Sequence, residues 1–129
     1  MSEMKAIVSK VLDSSLWLAY FLNGVHREII EKEETFLLSA ISLFEIKRKI
    51  KSSSLIQEHQ QHSFDFLREK TLFIPIDESI TDLAVSLALK HQLGAADALI
   101  YATTVQQRAM LITADNDFRG LPHVEIVSV

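Results

Sequence analysis

The feature that most constrains the fold is an apolar run ending in two carboxylates, between Met110 and Phe118. Met110 to Ile112 has the apolar character of a buried strand, and Asp115 and Asp117 follow it in a polar turn. In open α/β folds, ligands bind at the carboxyl ends of the parallel strands. This segment therefore predicts an acidic site at one edge of a parallel sheet, although an Asx-rich turn explains the same residues without a site.

Strand-like and helix-like segments alternate along the rest of the chain, as in a sheet covered by helices. The predicted fold class is α/β, a three-layer α/β/α sandwich with a central, mainly parallel sheet. Further strands are predicted at residues 6–12, 36–38, 72–76 and 124–127. Pro75 indicates a strand end or a sheet edge. Helices are predicted at residues 16–22, around Glu45, at 56–69, from Ile80 to near Gly94, and from Ala95.

The composition fits one compact domain over residues 1–129, because domains most often contain roughly 100 to 150 residues. The chain has no cysteine, which excludes disulfides and thiolate metal ligands and fits a reducing compartment. The apolar run 16–22 is too short to cross a bilayer and no export signal is evident, so we expect a cytoplasmic protein. The net charge of −4 argues against nucleic-acid binding by bulk positive potential.

Three earlier acidic residues, Asp13, Glu45 and Asp97, lie where predicted strands or helices begin or end. Each has a purely structural explanation. Asp13 is suited to capping the next helix, and Asp97 favours the positive end of a helix dipole. Glu45 has capping-box spacing with Ser42, but its apolar neighbours predict a partly buried carboxylate, which needs a cation.

A basic run and a pair of histidines are interpreted as ordinary surface residues. The basic run 47–51 is interpreted as a solvated helix face, although such a face also suits a phosphate backbone. His59 and His62 lie one helical turn apart, a spacing that can chelate a metal. Their polar neighbours instead favour exposed histidines.

Taken together, the five acidic residues are better explained as parts of one site than as separate structural features. Strand ends and helix starts share one edge of an α/β sandwich, so all of the acids are predicted to surround one crevice. Clustered carboxylates repel unless cations neutralise them, and Mg²⁺ or Mn²⁺ suits ligands that are all oxygen. Such a cluster suits phosphodiester cleavage, with metals about 3.5 to 4 Å apart if two bind.

The motifs that carry these acids resemble those of a PIN domain, in particular the small VapC-type toxins of bacterial and archaeal toxin–antitoxin pairs. The resemblance rests on four segments: VLDSS at 11–15, ISLFEI at 41–46, ADALIYA at 96–102 and LITADNDF at 111–118. Each motif is short and weak alone. Their order and spacing in a chain of this length make the combination specific, and they imply a single PIN-like domain over residues 1–129.

The resemblance implies a metal-dependent endoribonuclease, a hydrolase that cleaves RNA by in-line attack of an activated water without a covalent enzyme intermediate. The catalytic acids it implies are Asp13, Glu45, Asp97 and Asp115. The Mg²⁺ or Mn²⁺ ligands are predicted to be Asp13, Asp97, Asp115 and Asp117, with Asp117 ranked after Asp115 as the fourth acid. Ser15 and Thr113 match hydroxyl positions that orient the first and last acids. The family further implies an RNA substrate, a cognate antitoxin and a homodimer, with no membrane partner.

Three alternatives remain open. A PIN-like binding module without activity is the first, although no acidic position is missing. A PIN nuclease that processes RNA or DNA outside a toxin–antitoxin pair is the second. A phosphoacceptor receiver domain is the third, but it needs a late lysine, and no lysine follows Asp97.

Overall fold

The computed structural model describes residues 8–128. Its strands are β1 Lys10–Leu12, β2 Phe36–Ser39, β3 Thr71–Ile74, β4 Met110–Thr113 and β5 Val124–Ile126. Its helices are α1 Ser14–Asn23, α2 Arg27–Ile30, α3 Ala40–Lys51, α4 Gln57–Lys70, α5 Glu78–His91 and α6 Ala95–Gln106, with a short 3-10 helix at Asn116–Phe118. Within residues 8–128, every helix is too short or too polar to span a bilayer.

The five strands form one sheet in the order β3-β2-β1-β4-β5, and every neighbouring pair is parallel. The chain builds outward from β1 to β3, then returns to the other side of β1 and adds β4 and β5. The strand order therefore reverses between β1 and β4, where Val11 pairs with Leu111. This reversal is the point at which open α/β sheets place their ligands.

Helices cover both faces of the sheet. Alternate strand residues point to opposite sides, and in these strands apolar side chains point to both. Val11 and Leu111 belong to a core cluster beneath α5 and α6. Leu12 and Ile112 belong to a second cluster beneath α1, α3 and α4, where Trp17 is fully buried. The predicted three-layer α/β/α sandwich is confirmed, with a sheet that is parallel throughout.

Both predicted edge strands are confirmed. β3 lies at one edge and ends immediately before Pro75, whose ring nitrogen has no hydrogen to donate to a further ladder bond. β5 lies at the other edge. α1 ends at the predicted place, where Gly24 adopts a left-handed conformation with φ 67°.

One predicted strand boundary and one predicted helix cap are wrong. The first strand begins at Lys10 rather than Ala6: Val8 is exposed and outside the ladder, and residues 6 and 7 lie outside the described residues. α5 ends before Gly94, because Gln92 takes the left-handed C-cap position and its backbone N–H bonds to Ala88. Gly94 instead precedes α6 as its N-cap, with φ −68°.

The spacing of Ser42 and Glu45 allows a capping box, but none forms. α3 begins at Ala40, and Ser39 is its N-cap, accepting a hydrogen bond from the backbone N–H of Ile41 at 3.4 Å. Ser42 therefore lies inside the helix, on its buried face. The carboxylate of Glu45 is consequently not engaged at the helix start, and its partner lies elsewhere in the fold.

Candidate functional site

Two strand ends form the base of the candidate site, at the reversal point between β1 and β4. Asp13 directly follows β1, and its backbone N–H donates to the carbonyl of Ile112 at 3.2 Å. Thr113 is the last residue of β4. The parallel register therefore brings residues 100 positions apart in the chain into direct contact.

The carboxylate of Asp13 is held by three donors. Oδ1 accepts from the backbone N–H of Ser15 at 3.0 Å and from the Ser15 hydroxyl, and Oδ2 accepts from the Thr113 hydroxyl. The side chain is only 4% exposed. Burial raises the pKa of Asp13 above its ordinary value, and the hydrogen bonds from Ser15 and Thr113 oppose that rise.

The two hydroxyls also connect Asp13 to the turn after β4. Ser15 Oγ accepts from the backbone N–H of Ala114 at 3.2 Å, and Thr113 Oγ1 accepts from the backbone N–H of Asp115 at 3.0 Å. Each hydroxyl thus donates a hydrogen bond to Asp13 and accepts one from the backbone of the turn that carries Asp115 and Asp117. These contacts orient both parts of the site relative to each other.

A second group of acids lies at the same edge. Asp97 is in the first turn of α6, Asp115 caps the short 3-10 helix, and Asp117 lies within it. Each offers a carboxylate oxygen, and these three oxygens lie within 4.8 Å of one another. Asp115 Oδ1 also accepts from the backbone N–H of Asp117 at 2.8 Å, so the predicted Asx turn and the acidic cluster coexist.

The electrostatics of Asp97 link all five predicted acids. Burial is the largest cause that raises its pKa, from 3.8 to about 6, and the negative charges of the other four acids add to the rise. In order of effect, those four are Asp115, Asp117, Glu45 and Asp13. The charges of Glu45 and Asp13 therefore act on Asp97, which is consistent with both acids lying at the same edge as the three clustered carboxylates.

Glu45 reaches this edge from α3 and is fixed by α1. The hydroxyl of Ser14 donates to Glu45 Oε1 at 3.1 Å. The sequence predicts Ser14 only as part of a helix start, and it does not predict the hydrogen bond between Ser14 and Glu45. No local pattern indicates it, because it depends on α1 packing against α3 across 31 residues of chain.

The donor set fits a hard divalent cation. Oxygen atoms are the only donors, and three carboxylates lie close enough to share one ion. The three ion pairs among residues 8–128 involve other side chains, so no lysine or arginine in that range forms an ion pair with these acids. His59 and His62 are exposed on α4, as expected, and are not part of the cluster.

Comparison with known proteins agrees with this geometry. Residues 10–124 match the PIN domain family. No curated protein sequence matches the chain at a significant level.

Solved structures show the same fold. A chain of a toxin–antitoxin complex from Klebsiella pneumoniae has a TM-score of 0.80 and 23% identity, over 94% of this chain and 100% of that one. VapBC2 from Rickettsia felis bound to promoter DNA gives 0.74 and 19%, over 92% and 97%. VapC20 from Mycobacterium tuberculosis, described as a sarcin–ricin loop cleaving toxin, gives 0.70 and 16%, over 92% and 98%. With the family match spanning nearly all of its length, the chain belongs to the PIN domain family.

Proposed function

We propose that the protein is a cytoplasmic, Mg²⁺- or Mn²⁺-dependent endoribonuclease and the toxin of a toxin–antitoxin pair. The observation that carries the proposal is the acidic cluster around Asp97, whose carboxyl has a raised pKa because burial and four other acids disfavour its charge. Repulsion of this kind is relieved when a divalent cation binds. The fold shared with VapC proteins supports the same function.

The acids in this proposal have distinct roles. Asp97, Asp115 and Asp117 bind the cation, and Asp13 supplies a further carboxylate from the end of β1. Glu45 completes the catalytic set with Asp13, Asp97 and Asp115, and Ser14 orients it. A divalent cation held by these carboxylates would supply an activated water and positive charge for the phosphate during cleavage. Such a cation would also reverse the sign of the local charge, so that an RNA phosphate would be attracted to an otherwise negative edge.

The direct test is cleavage of a mixed pool of RNA by the purified protein. We expect cleavage with Mg²⁺ or Mn²⁺, loss with EDTA, and recovery when the metal is restored. A matched pool of single-stranded DNA separates ribonuclease activity from general nuclease activity. Metal binding without any cleavage, under conditions where the protein is folded, would instead favour the silent binding module.

An antitoxin is the proposed protein partner, and an apolar cavity offers a place for it. The cavity has a volume of about 340 Å³ and lies between α3, α4 and β3. Phe73 forms part of its wall and is 47% exposed, and the side chains of Lys47 and Arg68 also line it. Apolar walls with cationic neighbours suit an apolar side chain on an acidic segment of the partner.

Phe73→Ala should weaken binding of the antitoxin about tenfold or more, because it removes an aromatic wall of this cavity. The measurement is the affinity for the product of a small adjacent open reading frame, made with the wild type in parallel. RNA cleavage by the variant alone should not change. Unaltered affinity would place the antitoxin on another surface.

A homodimer is also proposed, through the outer side of α5. Leu89 is 79% exposed there and Val85 is exposed one turn earlier. Burying such side chains against a second copy removes apolar surface from water. Light scattering across micromolar concentrations tests this proposal, and a mass of one chain at all concentrations would contradict it.

A further inference from the structure

Phe44 has a position on α3 that the acidic site does not explain. The helix buries Ser42, Ile46 and Ile50 against the core, whereas Phe44 points away and is 58% exposed. Isolated exposed apolar residues are common and need no explanation by themselves. Phe44 differs from such residues in its neighbours, because it directly precedes Glu45 and carries a cation beside its ring.

That cation is Arg48, one helical turn after Phe44 on the same face of the helix. The guanidinium carbon lies 5.6 Å from the centre of the Phe44 ring, within the range of a cation–π contact. Such a contact restrains an otherwise free aromatic side chain at the surface. More than half of the residue nevertheless stays accessible to another planar group.

Positive charge is concentrated on the helix that carries Phe44. α3 carries four of the 13 lysine and arginine residues in a protein of net charge −4. All four, at positions 47, 48, 49 and 51, are exposed. The Lys47 ammonium lies over the ring of Phe64, on the side of α4, which leaves the other three available at the outer surface. An exposed aromatic ring beside such cations is the combination that binds single-stranded nucleic acid.

We propose that Phe44 stacks on an unpaired base of the RNA next to the phosphate held at the acidic site, while Arg48 and Lys49 contact flanking phosphates. This inference rests on the proposed function and extends it to the kind of RNA that is bound. A duplex keeps its bases stacked on each other, so the required substrate is a single-stranded loop or end. Because every base offers a flat face, stacking on Phe44 contributes affinity without selecting one sequence.

The kinetic test compares Phe44→Ala with wild type on an unstructured RNA oligonucleotide. We expect kcat/KM to fall about tenfold or more through an increase in KM, since stacking on an aromatic side chain contributes that much binding per base. Phe44→Tyr and Phe44→Trp keep an aromatic ring and should restore activity to within about twofold of wild type. Leu72→Ala is the matched control, because it removes an equally exposed apolar side chain on β3, outside the proposed antitoxin cavity, and it should leave cleavage unchanged.

A chemical test separates stacking from a general effect on the site. An abasic nucleotide is placed in turn at each position around the cleaved bond. At one position it should reduce cleavage by wild type strongly and cleavage by Phe44→Ala little, because the base and its platform act as a pair. Equal losses for both proteins at every position would overturn the inference, as would full activity of Phe44→Ala.

Fluorescence gives an independent readout of contact. Trp17 is the only tryptophan and is fully buried, so a second tryptophan at position 44 reports on the surface. In the Asp97→Asn background, which keeps the RNA intact, Phe44→Trp emission should change on RNA binding and Leu72→Trp emission should not. Arg48→Gln should lower the slope of log Kd against log salt by about 0.7, the value for one lost phosphate contact on a single strand.

The outcomes for this inference and for the proposed function are distinguishable. Absence of RNA cleavage by the wild type, with any divalent cation, refutes the proposed function. Cleavage by the wild type together with unchanged Phe44→Ala kinetics refutes only the role of Phe44. A change in mass by light scattering that accompanies the loss of activity in Phe44→Ala would assign Phe44 to an interface between copies of the chain, and would also refute its role in stacking.

Discussion

Replacing Asp97 with asparagine should lower the rate of RNA cleavage by about a thousandfold and, in the absence of metal, stabilise the fold at neutral pH. The loss of rate follows from removing one of three carboxylates that share a cation, because bound metal supplies several kcal/mol of transition-state stabilisation and each 1.36 kcal/mol is a factor of ten. The gain in stability follows from removing a charge that burial and four other acids disfavour. A residue that only supports the fold would not change activity and stability in opposite directions.

The pH dependence of stability has a definite sign for Asp97. Its pKa is raised in the folded protein, from 3.8 to about 6. The folded state therefore binds this proton more tightly than the unfolded state. The associated stability is fully present below about pH 4 and is lost as the pH rises through about 6. The melting temperature of the metal-free wild type should consequently fall between pH 5 and 7 more steeply than that of Asp97→Asn.

Thermal melts in EDTA and in Mg²⁺, at several pH values, measure these effects. Asp82→Asn is the matched control, because Asp82 is an exposed acid on α5 outside the cluster. Mg²⁺ should raise the melting temperature of wild type and Asp82→Asn, and raise that of Asp97→Asn less. An Asp97→Asn variant that cleaves RNA at the wild-type rate would refute the assigned role of Asp97.

The acids at strand ends are predictable because each follows an apolar run, and a parallel sheet brings such ends to one edge. The amino-acid sequence alone therefore indicates where Asp13 and Asp115 lie. It also indicates the position of Asp97, since α6 leads into the parallel strand β4 and runs in the opposite direction, so the first turn of α6 lies at the same edge. In these cases the relevant information is local: a short run of side chains determines where the element ends.

The parts that could not be predicted depend on contacts between elements. Ser42 and Glu45 have the spacing of a capping box, yet Ser39 caps the helix because β2 extends to it and the helix begins at once. The partner of Glu45 is Ser14 on α1, and only tertiary packing brings the two together. The exposure of Phe44 was also missed, since its apolar character suggested a role in burying Glu45.

Thr113→Val should reduce RNA cleavage about 10- to 100-fold and destabilise the protein by about 1–3 kcal/mol, although valine nearly matches threonine in shape. The hydroxyl of Thr113 donates to Asp13 Oδ2 and accepts from the backbone N–H of Asp115. Its removal leaves a buried carboxylate oxygen without that donor, which costs about 1–3 kcal/mol. Asp13 and Asp115 are then no longer held in a fixed orientation relative to each other. Loss of such supporting contacts typically lowers metal affinity or activity 10- to 100-fold.

Thr103→Val provides the matched control for this prediction. Thr103 is as fully buried as Thr113, but its hydroxyl only donates to the carbonyl of Leu99 one turn back in α6, at 2.8 Å. Its removal should therefore cost less stability and leave cleavage unchanged. The Thr113 hydroxyl also lowers the pKa of Asp13, so its loss should move the acid limb of the pH–rate profile to higher pH. Equal losses of activity in the two valine variants would mean that Thr113 acts through packing alone, and that the bond to Asp13 does not position the first acid of the site.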